Sequence, residues 1–172
     1  MPKLRVESGF SITIPIDVVQ TLRLRVGRSI EIRFPEMPIP MERGLGTATQ
    51  WRHLANQRLE DAQVLIASRK RRYNGAVYLG GYTVECALKS AICALKNLPN
   101  LPEDYKTHML DELLTATGLT LPDNLVMKFC ILRDWTVELR YQTKILNAQD
   151  ARKFLQYANE VKQWLESETS PK

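Results

Sequence analysis

YNGAVYLGGYTVECALKSAICAL, residues Tyr73 to Leu95, is a strongly patterned and nearly all-apolar run broken by two charges, Glu85 and Lys89. It predicts a long helix over Asn74–Leu95. The charges keep the run well short of the roughly 18–20 uninterrupted apolar residues that span a bilayer. Glu85 stands four residues before Lys89, the favourable order for an intrahelical ion pair. The pair reads in two ways: as such a pair, tied to Arg133 or Arg140, or as a polar patch lining a nucleotide or RNA cleft. Gly80 and Gly81 each cost a helix about 1 kcal/mol against alanine. Two such residues inside a strong helix predict the close approach of another helix.

The same 3.6-residue period extends on both sides. Upstream, Trp51, Leu54, Ala55, Leu59, Ala62, Leu65 and Ile66 form one apolar stripe beginning near Thr49. Downstream, Asn97–Pro102 ends the central helix with two prolines. His108–Thr117 reads as a short amphipathic helix closed by Gly118, with His108 as its opening residue. Leu121–Arg133 reads as another, with Pro122 near its start. A break follows around Trp135–Thr143. Asn147 can cap a last helix whose core face is Phe154, Leu155, Ala158, Val161, Trp164 and Leu165. Four to five helices joined by short loops predict an up-down bundle over 49–168. Residues 36–48, rich in proline and then glycine, read as a linker. Residues 1–35 differ in texture: Ser11–Ile14 and Ser29–Phe34 alternate apolar and polar as half-buried strands do. The expected fold class is therefore mainly α, a bundle with a small N-terminal β module.

Composition is that of a globular domain, 44% hydrophobic and 25% charged. No basic-then-apolar leader opens the chain. Cys86, Cys93 and Cys130 make an odd count, and two of them sit seven apart on one helix; this reads as packed free thiols in a reducing, cytoplasmic compartment. Two histidines and no CxxC give no zinc pattern, and no metal or cofactor is expected. The net charge of +5 is uneven: residues 48–97 hold eight basic and three acidic side chains, and residues 1–35 six and three. Such a surface suits a polyanion, and equally serves solubility. Its densest part is Arg69-Lys70-Arg71-Arg72, placed at the C-terminal end of the first long helix. Cations there favour the helix dipole; beside Tyr73 they also suit a nucleic-acid phosphate.

Ala76-x-Tyr78-Leu79-x-Gly81-x-x-x-Glu85-x-Ala87-Leu88-Lys89, followed by His108-x-Leu110-x-x-Leu113-Leu114, resembles the HEPN family over about 50–166. Leu139-Arg140-Tyr141 looks like the arginine-tyrosine loop of its bacterial members. The resemblance implies a helical bundle associated with nucleotides and RNA, of a kind found in prokaryotes and eukaryotes; the chain reads as a prokaryotic member. With this resemblance, Glu85, Lys89, Arg140 and Tyr141 join the charge-dense Arg69, Lys70, Arg71 and Arg72 as candidate binding residues. Family ribonucleases carry an arginine followed, four to six residues later, by a histidine: the arginine stabilises the phosphate transition state and the histidine moves a proton. Here Arg133 has no such histidine, and Arg140 leads to Asn147. Arg133, Arg140 and Tyr141 remain as candidates for catalysis, or for holding a phosphate and stacking a base; Arg140 against Glu138 is the plain alternative.

Residues 4–34 resemble the AbrB/MazE swapped-hairpin family through Ser11-Ile12-Thr13-Ile14-Pro15 and Leu22-x-Leu24-x-Val26-Gly27-x-Ser29-Ile30-Glu31-Ile32. This implies a dimerisation or DNA-binding module. Together the two resemblances predict a homodimeric toxin–antitoxin-type component that binds RNA, DNA or a nucleotide without the usual ribonuclease motif. The alternatives are an atypical metal-independent endoribonuclease, and a partner of a nucleotidyltransferase or an antitoxin.

Overall fold

The computed structural model describes residues 20–21, 46–143 and 146–170. Apart from residues 20–21, which are helical, the expected β module of 1–35 lies outside the described residues, as does most of the linker of 36–48. Among the described residues from 46 onward there are five α-helices and no strand: α1 (Ala48–Ala67), α2 (Tyr73–Leu95), α3 (Leu110–Thr117), α4 (Asp123–Arg133) and α5 (Ala148–Glu168). No helix among them is long and apolar enough to cross a membrane.

Each boundary has a local cause. Thr47 opens α1 with a capping box: its hydroxyl accepts from the Gln50 amide at 3.2 Å, and the Gln50 side chain accepts from the Thr47 amide at 3.1 Å. Asn147 opens α5 as expected, accepting from the Asp150 amide at 2.8 Å. Gly118 closes α3 at φ 75°, a left-handed conformation that glycine adopts without penalty. The predicted break after α4 contains a 3-10 turn, Val137–Tyr141.

α2 is the spine: α1, α3 and α5 all pack on it. Its apolar residues Val84, Leu88, Ala91 and Ile92 are fully buried, and the predicted faces of α1 (Ala55, Leu59, Ala62) and α5 (Leu155, Ala158, Val161, Leu165) close over them. The glycines admit two different neighbours. At Gly80 an added Cβ would stand 2.4 Å from Leu155 of α5, the expected helix approach. At Gly81 the neighbour is instead the Trp135 indole, 2.2 Å away, which comes from the segment after α4.

Two sequence expectations need correction. Arg69–Arg72 does not end a helix: α1 stops at Ala67 with Ser68 as its cap, and its last turn holds no basic residue. The four cations lie exposed in the α1–α2 connection, with Arg71 at φ 52°, so they have no dipole-capping role. His108 does not open α3 either. The helix starts at Leu110, with Met109 in an extended conformation before it, so His108 sits in the connection that returns to α2.

Candidate functional site

A ridge of polar side chains runs along α2 at steps of four, four, three and four residues: Asn74, Tyr78, Tyr82, Glu85 and Lys89. Such steps keep one face of a helix. The lower end is buried. Glu85 and Lys89 are 2% and 4% exposed, and Lys89 Nζ donates to Glu85 Oε1 at 2.6 Å. The intrahelical reading of the pair is therefore correct, but its third member is neither Arg133 nor Arg140. It is His108, whose Nδ1 lies 2.9 Å from Glu85 Oε2. A carboxylate only accepts, so Nδ1 carries the proton, and in the neutral ring Nε2 is left as an acceptor. The His108 side chain is 53% exposed. Lys89 also stands over the Trp51 ring at 5.1 Å.

The upper end is aromatic and cationic. Tyr82 meets His108 edge-on at 6.1 Å, Trp135 at 5.3 Å and Tyr78 at 5.1 Å between ring centroids. The Tyr78 and Tyr82 hydroxyls are hydrogen-bonded to each other, and Arg140 Nη1 donates to Tyr78 Oη, both at 3.5 Å. The Arg140 guanidinium lies 4.8 Å from the centroid of the Tyr141 ring. Tyr141 is 73% exposed, a large aromatic surface left to solvent. Burial, the Tyr78 hydroxyl and the negative charge of Glu85 push the Tyr82 phenol far above its ordinary value, so it acts only in its protonated form. The exposed Glu138 carboxyl is held below the usual carboxylate range, first by the Thr136 hydroxyl, then by its own backbone amide, with Arg140 and His108 adding their charge.

The ridge's first residue fastens this arrangement. Asn74 Nδ2 donates to the Gln142 carbonyl at 3.3 Å, and Asn74 Oδ1 accepts from the Leu146 amide at 2.8 Å. The stretch just after Arg140–Tyr141 is thereby tied to the start of α2, directly after Arg69–Arg72. The structure brings together Arg140, Tyr141, Tyr78, Tyr82, His108, Glu85 and Lys89. It leaves Arg133 out, engaged with Asp111 at 3.9 Å and Asp134 at 4.0 Å. Sequence reasoning missed Tyr82 as a site residue and assigned His108 to a helix start. The four-residue spacing of Asn74, Tyr78 and Tyr82 was the available signal for the first; none existed for the second. No group of His, Cys, Asp and Glu that could hold a metal ion occurs among the described residues.

These features define an all-helical domain whose central helix buries a carboxylate–ammonium pair beneath an exposed face of tyrosines, histidine and arginine. Residues 48–168 match the HEPN domain family, and the chain belongs to it. Among curated proteins and solved structures, none matches.

Proposed function

We propose that the bundle binds single-stranded nucleic acid or a nucleotide on the face formed by Tyr78, Tyr82, His108, Arg140 and Tyr141. We further infer that it serves as a homodimeric, cytoplasmic toxin–antitoxin-type component. The observation that carries the binding reading is Arg140, stacked on Tyr141 and anchored to Tyr78. A guanidinium so placed offers paired donors to a phosphate while the ring beside it offers a stacking surface to a base. The exposed run Arg69–Arg72, at the same end of α2, extends the cationic track. HEPN membership supports the choice of RNA or nucleotide as ligand class.

The test is fluorescence anisotropy with a labelled single-stranded RNA. Tyr141→Ala removes one stacking contact, about 1–3 kcal/mol, and weakens binding about tenfold; Arg140→Ala weakens it further and flattens its salt dependence. Both side chains are exposed, so circular dichroism stays unchanged. Binding unaltered in the double variant would refute the assignment.

One observation favours a second reading, endoribonuclease activity. Glu85 fixes the His108 tautomer with Nε2 open, the arrangement of a general base, on the same row as Arg140. RNA cleavage by the wild type that is lost in both His108→Ala and Arg140→Ala would replace binding alone with catalysis.

A further inference from the structure

A cleft of about 340 Å³ opens between α2, α4, the 3-10 turn and α5. Its walls are apolar: Val77, Ile131, Trp135, Leu139, Leu146 and Phe154. Its volume falls at the small end of the range for small-molecule sites, and so does its chemistry of apolar walls with a few polar groups at the rim. Two of the walls are aromatic, which favours a flat ring stacked or edge-on between them.

The rim selects the charge. It carries two carboxylates, Asp134 and Asp150, and one ammonium, Lys153; Asp134 also faces Arg133 at 4.0 Å, so Asp150 is the carboxylate that favours a cation. Lys153 Nζ is engaged 5.7 Å from the Tyr157 ring centroid. One oxygen of Asp150 accepts from the Asn147 side-chain Nδ2 at 2.5 Å, which leaves the other for a ligand. In a chain of net charge +5, the open Asp150 oxygen gives a cation a partner at this cleft. We propose that the cleft binds a small ligand consisting of one flat apolar ring bearing an amine or amidinium. The site lies beside the nucleic-acid face and has the opposite charge preference. Trp135 nevertheless belongs to both, lining the cleft while packing on Tyr78 and Tyr82. A bound ring therefore bears on the support of the tyrosine row.

The test is a titration of the full chain with three probes of one size: benzamidine (cation), benzyl alcohol (neutral) and benzoate (anion). The readout is the methyl resonances of Ile131 and Leu139. Benzamidine gives saturable shifts in the low-millimolar range and binds at least tenfold more tightly than benzoate. Asp150→Asn narrows the preference for benzamidine over benzyl alcohol. Ile131→Arg, at a half-exposed position on the mouth, weakens benzamidine at least tenfold. Met127→Arg, on the same face of α4 but off the cleft, leaves it unchanged. Benzoate binding as well as benzamidine, benzamidine binding undiminished in Ile131→Arg, or no saturable shift with any probe would each overturn the proposal.

Discussion

Replacing Glu85 with alanine is the sharpest test of the packing beneath the candidate site. The side chain has two partners, Lys89 at 2.6 Å and His108 at 2.9 Å. His108 reaches solvent and can exchange its lost bond for water. Lys89 cannot, because it is 4% exposed. After truncation its ammonium keeps only the Trp51 ring at 5.1 Å. A cation–ring contact supplies about 0.5–2 kcal/mol, less than the several kcal/mol of desolvation carried by a buried ion. Breaking one partner of a buried pair costs about 3–5 kcal/mol, which for a bundle of this size lowers Tm by roughly 10–20 °C. Urea and thermal denaturation followed by far-UV circular dichroism measure it. The same reasoning makes the double variant Glu85→Leu/Lys89→Met close to wild type, within about 1 kcal/mol, because removing both charges removes the orphan. A Glu85→Ala loss below about 1 kcal/mol, or a double variant as unstable as the single one, would show that Lys89 does not depend on this carboxylate.

Two further outcomes follow from neighbouring residues. Gly81→Ala gains about 1 kcal/mol of helix propensity but sets a methyl 2.2 Å from two atoms of the rigid Trp135 indole. Overpacking of about 1–3 kcal/mol dominates, so the urea midpoint falls; a midpoint at or above wild type contradicts the close contact. Burial, reinforced by the charge of Glu85, pushes the Cys86 thiol from 9.0 up to about 12. At mildly alkaline pH, Cys86 therefore stays unreactive to a disulfide reagent while half-buried Cys130 reacts first. The raised value also means that the fold keeps a proton the unfolded chain has released. Stability from this group is thus whole below about 9 and declines from there to about 12. Cys86→Ala flattens that decline in a plot of unfolding free energy against pH.

Features set by neighbours in sequence were readable in advance. The stripe from Trp51 to Ile66, the α5 face, the Asn147 cap and the Glu85–Lys89 pair all depend on spacings of three or four residues, and each stands as the pattern required. Features set across loops were not. His108 meets Glu85 over 23 residues of chain, through a connection shaped by Pro99 and Pro102, and no local pattern announces such a return. The partner of Gly81 was read as a helix because glycine reports only the nearness of something, not its identity. Arg69–Arg72 looked like a helix end because cations favour one, yet the chain leaves the helix at Ser68, where its backbone turns extended. The resemblance to HEPN chains pointed to the correct central helix and to Arg140–Tyr141; that Arg140 meets the tyrosine row at Tyr78 emerges only from tertiary packing.

The two hydrogen bonds of Asn74 reach across 68 and 72 residues, and Tyr78 meets Arg140 across 62. Contacts so distant in sequence form after the local helices, because closing a long loop carries an entropy that nearby contacts do not. During synthesis α1 and α2 can pair while the second half of the chain is still unmade. The face that holds Arg140 and Tyr141 cannot exist until α2 is joined by residues near the C-terminal helix. Whatever this face does is thus withheld from the nascent chain until residues 140–146 have been made and can reach α2.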